Sequence, residues 1–362
     1  MNAPASTLSS RTRLAEQERE AYQRFLGAAR AYWATRMFAG VQRQVESEIG
    51  APDTLNDDFR SRVEALPTYQ VFAWFERHLQ RMRYSGHRGL AAGVEARRAE
   101  LSNVLSRPLP EGLLTLNTEL RLPSYFVDCD IHQQPGGVAA HDLSAFIYRD
   151  AVQSGGVVGV ASLHDRHVQR VLERFRPSRI LDMGCGFGRS TLAFAKALPE
   201  ARVCGVDLSA SCVRVAAHET PEAMWGRVNF LQADATRTGL PDCSVDLLTS
   251  TMLLHEMPEY AVRQLIAEAG RLVRPGGMVA HLDFLPPEEP LLRMIYEGHA
   301  ARNNEPYLLE HSRINLQEAY AAAGFNSVEI SDFAETDDAL QLPPARWRLP
   351  WKLILAVKSE DA

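Results

Sequence analysis

Residues 180–191 read ILDMGCGFGRST, the most informative stretch of the sequence for the fold class. An apolar run ends at Asp182, three glycines (Gly184, Gly186 and Gly188) alternate with other residues, and a helical pattern follows. Glycine lets the backbone turn sharply and lets a ligand approach where a Cβ atom would clash. The stretch therefore predicts a buried strand, a tight loop and the start of a helix. Its GxGxG spacing differs from the GxGxxG of dinucleotide-binding loops, and a strand–helix turn without a ligand is also compatible with it.

The second half of the chain has the pattern of a parallel sheet. Short apolar runs alternate with amphipathic stretches, which is typical of strand–helix–strand units buried on both faces. A largely helical excursion follows at 286–325, and two more strand patterns lie at 327–333 and 351–358. We expect an α/β domain over residues 151–362, with a doubly wound, seven-stranded Rossmann-like sheet and a helical insertion at 286–325.

The first 150 residues have a different texture. Apolar residues recur at helical spacing in three stretches, at 11–48, 57–84 and 90–105. Prolines interrupt residues 103–137, which predicts an irregular connector. We expect residues 1–150 to form a mostly helical N-terminal extension and connector. Together with 286–325 it would cover the functional site. A homodimer through these helices is a further prediction.

Composition limits the class of partner. The 362 residues carry a formal net charge of −6, which gives no basic field to attract nucleic acid. Five cysteines without a CxxC pair are typical of a reduced intracellular protein. The first residues lack the apolar core of a signal peptide, and no apolar run reaches the ~18 residues of a membrane span. We expect a cytoplasmic protein that acts on small molecules, with no nucleic-acid or membrane partner and no metal.

Three aspartates end three successive predicted strands. Asp182 ends the first, Asp207 ends the next strand 25 residues later, and Asp234 ends the third. A carboxylate at the position of Asp207 can accept hydrogen bonds from both hydroxyls of a ribose, and Asp234 can bind an adenine amino group. Each acid could instead cap the helix that follows it. Three acids on one edge of a sheet favour a nucleoside-binding site.

These segments resemble the class I S-adenosylmethionine-dependent methyltransferases. The resemblance rests on LDMGCGFG at 181–188, VDLS at 206–209, the long stretch 233–256, and GRLVRPGG at 270–277, in that order. It covers about residues 160–284 and, more loosely, 326–358. It implies an enzyme with S-adenosyl-L-methionine as its cofactor.

The resemblance also implies roles for individual residues. The loop with Gly184, Gly186 and Gly188 would pass under the methionine part of the cofactor, with Asp182 near its amino group. The remaining cofactor residues would follow the next three strands. Asp207 would hold the ribose, with Leu208 beside the adenine, Asp234 and Ala235 at the adenine edge, and Met252 lining the cavity of methyl transfer.

The exit of the fourth strand carries the candidate catalytic residue His255. A neutral imidazole here could deprotonate or orient the methyl acceptor, or it could cap the next helix. Glu256 is interpreted as an acid at a helix start. The Asn/Asp-Pro-Pro-aromatic tetrad of amino-methylating nucleic-acid enzymes and the Pro-Cys nucleophile of cytosine C5 enzymes are both absent at this exit.

Two other segments supply candidates. Before the sheet, Tyr148 could contact the methionine carboxylate as a second catalytic-site residue, and His132 or Arg149 could face the acceptor. In the excursion, a further wall for an aromatic or carboxylate-bearing acceptor could be formed by Arg293, Tyr296, His299 and Tyr307.

The sequence thus predicts a methyltransferase that acts on a small-molecule acceptor at oxygen, nitrogen, sulfur or a carboxylate. The expected reaction is a direct in-line displacement, to which the protein contributes alignment and exclusion of water. Two alternatives stay open at this point: an RNA or protein methyltransferase, and a catalytically inactive cofactor-binding scaffold on the same fold.

Overall fold

One mixed sheet organises the protein. The computed structural model describes residues 10–154, 160–334 and 344–360. Within these ranges eight strands form a sheet in the order β1-β4-β3-β2-β5-β6-β8-β7. The strands are β1 Leu114–Thr115, β2 Arg179–Met183, β3 Arg202–Asp207, β4 Val228–Gln232, β5 Val245–Thr251, β6 Val273–Phe284, β7 Phe325–Asp332 and β8 Trp351–Lys358.

The strand order places a crevice at the carboxyl ends of the central strands. From β2 the chain moves outward on one side to β3 and β4, and β5 then returns to pair with the other side of β2. All of these pairings are parallel, whereas β8 is antiparallel to both β6 and β7. Ligands of doubly wound sheets bind where the strand order reverses, which here is between β2 and β5.

The predicted α/β class is confirmed, but the predicted number of seven strands is wrong by one. The additional strand is β1, which pairs in parallel with the outer edge of β4 through Leu114 and Phe230. It consists of two residues within the connector. A run this short has no period, so the sequence pattern could not reveal it.

Helices cover both faces of the sheet. The helices from residue 144 onward are numbered after the seven described N-terminal helices given below. They are α8 Ser144–Ser154, α9 Val160–Leu172, α10 Arg189–Ala197, α11 Ala210–Glu219, α12 Glu259–Leu272, α13 Pro290–Asn303 and α14 Leu316–Ala322. Alternate strand residues face opposite layers. Leu181 and Leu248 pack with α12 and α14, whereas Ile180 and Leu247 pack with α9, α10 and α11. This two-sided burial explains why the strands are nearly continuous apolar runs.

The first four N-terminal helices share a buried cluster with the excursion and Phe284 of β6, whereas the fifth and sixth pack on α8 and α11. The N-terminal helices are α1 Ser10–Tyr32, α2 Phe38–Glu48, α3 Asp57–Ala65, α4 Pro67–Tyr84, α5 Leu90–Ala96, α6 Arg98–Leu105 and α7 Ser124–Val127, with a π-helical turn at Trp33–Met37. Trp33 stacks on Phe72 at 4.9 Å and donates a hydrogen bond to its carbonyl. Phe38, Phe72 and Tyr296 of α13 share one buried cluster. None of the described helices is both long and apolar enough to cross a bilayer.

Candidate active site

A cavity of about 140 Å³ opens at the carboxyl ends of the central strands. The loops after the strands form one side, with Gly184 and Gly186 after β2, Asp207 and Leu208 after β3, Asp234 and Ala235 after β4, and Thr251, Met252, Leu253, Glu256 and Met257 after β5. The opposite side comes from the connector and α8, with Tyr125, Phe126, Cys129, Ile131, His132, Gln134, Gly137, Val138 and Tyr148; Cys212 of α11 also lines it. Most of the predicted cofactor residues thus line one cavity.

The glycine loop after β2 forms a floor that has no room for side chains. Gly184 and Gly186 have φ angles of +64° and +53°, which lie in the left-handed region that favours glycine. A Cβ atom on Gly184 would lie 2.6 Å from Leu253 Cδ1, and one on Gly186 would lie 3.4 Å from Tyr148 Cε1. Tyr148 is held above the loop by an edge-on contact with Phe187. The loop is therefore a cradle that any added Cβ would begin to fill.

Asp207 ties the end of β3 to this loop. Its two carboxylate oxygens accept hydrogen bonds from the backbone N–H groups of Gly186 and Ser209, each at 2.8 Å. Burial raises the pKa of Asp207 despite these two bonds. A carboxylate has about four lone-pair sites, so both oxygens retain capacity for a ligand in the cavity. This geometry suits two adjacent hydroxyl donors.

Asp234 and Gln232 shape the neighbouring wall. Asp234 accepts hydrogen bonds from the backbone N–H and hydroxyl of Thr236, both on Oδ1. Gln232, the last residue of β4, donates to the carbonyl of Leu208 at 3.2 Å and accepts from Asn117 N–H. Gln232 thus fixes the loop that carries Leu208, a role that the sequence did not indicate.

Asp182 and Gly188 lie behind the described lining of the cavity. Asp182 is fully buried and accepts hydrogen bonds from Ser190 at 2.5 Å and Thr191 at 2.6 Å, which locks the start of α10. Its Oδ1 has no partner among the described residues, and burial raises its pKa to about 6. A Cβ atom on Gly188 would lie 3.1 Å from Phe230. Both residues are placed to hold the loop in shape from below.

His255 does not belong to the described lining of the cavity, so neither of its two predicted roles fits: it does not face an acceptor there, and the residue that caps α12 is Pro258. His255 is 2% exposed, and its Nδ1 is 2.6 Å from Asp283 Oδ1. Asp283 lies on β6, next to β5, and its Oδ2 accepts the backbone N–H groups of Leu253 and Leu254. Burial alone would lower the pKa of His255, but the charge and hydrogen bond of Asp283 outweigh it and raise the pKa to about 10.

Glu256 occupies the place predicted for His255. The interpretation of Glu256 as a helix-start acid is wrong, because it ends a 3-10 turn at Leu254–Glu256 and α12 begins only at Glu259. Glu256 lines the cavity, and its Oε1 is 3.5 Å from His255 Nε2 and 3.1 Å from His132 Nε2. The sequence pattern located the adjacent residues His255 and Glu256 at this strand exit. Which of the two side chains faces the cavity depends on the backbone conformation of the 3-10 turn that carries them.

His132 brings the connector into this cluster. Its φ angle of +54° is unusual for a residue with a side chain, as is that of Met252 at +59°, and both residues line the cavity. Gln133 holds the turn by donating to the carbonyl of Arg302 on α13. His132 Nδ1 is 2.9 Å from Glu305 Oε1. Burial would lower the pKa of His132, but the carboxylates of Glu256 and Glu305 raise it well above the ordinary value.

A buried chain of alternating charge continues from Glu305 to the N-terminal helices. Glu305 Oε1 is 3.4 Å from His299 Nε2, and His299 Nδ1 is 2.5 Å from Glu76 Oε1 on α4. Glu76 also pairs with Arg302. Although burial opposes it, the charges of Glu305 and Glu76 raise the pKa of His299 to about 9. Because negative and positive side chains alternate along this chain, each buried charge has a partner of opposite sign. Loss of one member would leave its neighbours unpaired.

The other predicted acceptor contacts lie elsewhere. Arg149 pairs with Asp150 and Glu219. In the excursion, Tyr296 is buried and donates to the carbonyl of Leu308, and Arg293 pairs with Glu297. Tyr307 makes an edge-to-face ring contact with Tyr125 at 6.1 Å. His299 is bonded to Glu76. None of the described lining residues belongs to the excursion, and the side of the cavity opposite the strand ends is formed by the connector and α8 instead.

The charges that line the cavity are mostly negative. Among the described lining residues, Asp207, Asp234 and Glu256 are acidic, His132 is the basic group, and neither Arg nor Lys contributes. Apart from Gln134, Thr251 and three glycines, the rest of the lining is aromatic, aliphatic or sulfur-containing. The cavity therefore suits a ligand that combines hydrogen-bond donors or positive charge with apolar surface.

The pKa of His255 predicts how stability depends on pH. Its folded value of about 10 exceeds the ordinary 6.5, so its stabilising contribution is complete below pH 6.5 and is lost as the pH rises towards 10. We expect the free energy of unfolding to fall over this interval, and less steeply in His255→Gln. Urea unfolding at several pH values measures the slopes. His87→Gln, at an exposed histidine, should retain the original slope; an identical slope in His255→Gln would contradict the assignment.

Comparison with known proteins adds independent findings. Residues 180–277, from β2 to the start of β6, match a family model described as a methyltransferase domain. The demethylmenaquinone methyltransferase of Staphylococcus aureus is 29% identical over 184 residues, which are 46% of this chain and 75% of that protein. Its Staphylococcus haemolyticus counterpart is 26% identical over 196 residues, or 49% and 80% of the two chains. A solved Nostoc punctiforme structure, provisionally described as an O-methyltransferase, is 15% identical, with a TM-score of 0.48 over 98% of this chain and 100% of that chain.

Proposed function

The chain belongs to the class I S-adenosylmethionine-dependent methyltransferases, and on that premise we propose that it methylates a small, largely apolar molecule bound in the cavity. The observation that carries this proposal is the composition of the lining of one cavity. The lining combines the glycine cradle and the strand-end carboxylates with aromatic and aliphatic side chains of the connector.

The glycine loop and the strand-end carboxylates fit the cofactor. The cradle of Gly184 and Gly186 has no Cβ atoms and would accept the methionine part, with Tyr148 above it. Asp207 has spare lone pairs for the ribose hydroxyls, and Asp234 lies beyond it for the adenine edge. The bound cofactor supplies a methyl group that is electrophilic because its sulfur is positively charged. The acidic lining is compatible with that positive charge.

The apolar part of the lining supports the choice of a small acceptor. It includes Tyr125, Phe126, Ile131, Met252 and Met257, which would contact an aromatic or aliphatic molecule and keep water out. The Staphylococcus relatives are named for demethylmenaquinone, a small molecule, which supports the choice of a small-molecule acceptor. Holding two reactants in line in this way can contribute about 7–11 kcal/mol to lowering the barrier.

The test is transfer of a labelled methyl group from S-adenosylmethionine to a panel of acceptors. The panel contains naphthols and reduced quinones, aromatic acids, amines, bulk tRNA and a mixed protein extract. We expect label in the apolar aromatic fraction, with none in tRNA or protein. Preferential labelling of tRNA or protein would contradict the proposal and favour the macromolecular alternative.

A further inference from the structure

Glu256 is the one member of the described buried acid–histidine cluster whose carboxylate both lines the cavity and has an uncommitted oxygen. Its Oε1 is shared by His132 and His255, whereas its Oε2 is buried without a hydrogen-bond partner among the described residues. Glu305 has a similar free oxygen but does not belong to the described lining. A buried acceptor atom without a partner is unfavourable, and Glu256 lines the cavity, so a ligand that donates to this carboxylate once it turns towards the cavity would satisfy it.

Neither of the two flanking imidazoles, His132 and His255, has a ring nitrogen left to bind the methyl acceptor. His132 contacts Glu256 through Nε2 and Glu305 through Nδ1, and His255 contacts Glu256 through Nε2 and Asp283 through Nδ1. Every ring nitrogen of this pair is therefore engaged with a carboxylate. The imidazoles hold Glu256 from two sides and fix its orientation, while the acceptor meets the carboxylate.

We propose that Glu256 is the proton acceptor of the reaction and that the methyl acceptor binds to it as a neutral aromatic hydroxyl. This inference rests on the proposed function and deepens it. The acceptor oxygen forms a bond to the methyl carbon as the carbon–sulfur bond breaks and its electron pair remains on sulfur. The hydroxyl proton passes to the Glu256 carboxylate, which becomes a carboxylic acid and later returns the proton to water.

The charge state of Glu256 selects a hydroxyl over an amine. Burial would raise its pKa, but His132 and His255 lower it, so Glu256 is ionised and weakly basic. It cannot take a proton from an alkylammonium ion, whose pKa is about 10. A hydroxyl, by contrast, becomes strongly acidic while its oxygen is gaining a carbon, and a weak base then suffices.

The same carboxylate excludes acids. An acceptor with its own carboxylate would meet Glu256 as a like charge. His132, the basic residue of the described lining, is already paired with both Glu256 and Glu305 and so offers little compensation. The prediction of a carboxylate-bearing acceptor, made from the sequence of the excursion, is therefore replaced by that of a neutral hydroxyl donor.

The test measures binding of three matched probes without requiring turnover. The probes are 2-naphthol, 2-methoxynaphthalene, which lacks the donor, and 2-naphthoate, which is an anion. They are titrated by ligand-observed NMR into the free protein and into its S-adenosylhomocysteine complex. We expect the original protein to prefer 2-naphthol over each of the other probes by about tenfold or more, because a hydrogen bond to a charged group is stronger than one between neutral groups.

Variants identify Glu256 as the source of this preference. In Glu256→Gln the advantage over 2-naphthoate should shrink about tenfold, because the like charge is gone. Glu256→Asp keeps the negative charge, but its side chain is one methylene shorter and no longer reaches the ligand hydroxyl. This variant should still reject 2-naphthoate while losing the preference for 2-naphthol over 2-methoxynaphthalene. Glu259→Gln, at a nearby acid paired with Arg263, should behave as the original protein.

Equal binding of the three probes to the original protein would overturn the proposal, as would an unchanged ranking in both Glu256 variants. Failure of S-adenosylhomocysteine to bind while the free protein ranks the probes as expected would count against the proposed function alone.

Discussion

Replacing Asp207 with alanine is expected to weaken the binding of S-adenosylhomocysteine by about 100-fold. The variant loses a carboxylate that would accept the ribose hydroxyls, and charged hydrogen bonds of this kind contribute about 1.5–3 kcal/mol each. It also frees the N–H groups of Gly186 and Ser209, which loosens the glycine loop. Isothermal titration calorimetry on the variant and the original protein measures the ratio.

The matched control for this variant is Asp242→Ala. Asp242 is an acid of the same type whose side chain is 74% exposed and pairs with Arg271 outside the cavity. It should bind S-adenosylhomocysteine as the original protein does. An Asp207→Ala affinity within about threefold of the original, which is under ~1 kcal/mol, would remove Asp207 from the cofactor site.

Replacing Asp283 with alanine is expected to lower the free energy of unfolding by about 3–5 kcal/mol. The carboxylate is fully buried and pairs with His255, and it also accepts the backbone N–H groups of Leu253, Leu254 and Phe284. Its removal leaves the Nδ1–H of His255 and these three backbone donors without partners. Urea unfolding near neutral pH measures the loss.

Two comparisons separate this effect from a general loss of charge. Asp283→Asn keeps an oxygen that can accept from the backbone, so its loss should be smaller than that of the alanine variant. Asp332→Ala removes an exposed acid that pairs with Lys352 and should cost little. A loss below about 1 kcal/mol in Asp283→Ala would show that the pair with His255 does not hold this part of the fold.

Local patterns made the sheet and the cofactor end of the cavity predictable. The strands β2, β3 and β5 are nearly continuous apolar runs because both faces are buried, and the chain turns at glycines with positive φ after β2. A residue that follows directly after a parallel strand must lie at the same edge as its counterparts. Asp207 and Asp234 could therefore be assigned to one site from their positions alone.

The acceptor end could not be predicted, because it depends on contacts between distant parts of the chain. His132 meets Glu305 across 173 positions and His299 meets Glu76 across 223. The connector that carries His132 has no regular period, and its left-handed backbone has no signal in the residue type. Choosing between His255 and Glu256 required the geometry of a single 3-10 turn. These are properties of the assembled fold.

Calorimetric titration of the unmodified protein with S-adenosylhomocysteine, with NAD⁺ as the comparison ligand, tests whether the cavity binds the methyl-donor cofactor. We expect micromolar binding of one S-adenosylhomocysteine per chain, about −8 kcal/mol, and no saturable binding of NAD⁺. The GxGxG loop and the acidic lining, which offers no Arg or Lys for a pyrophosphate among the described residues, are the reason for this contrast. Tight binding of NAD⁺ without binding of S-adenosylhomocysteine would contradict it.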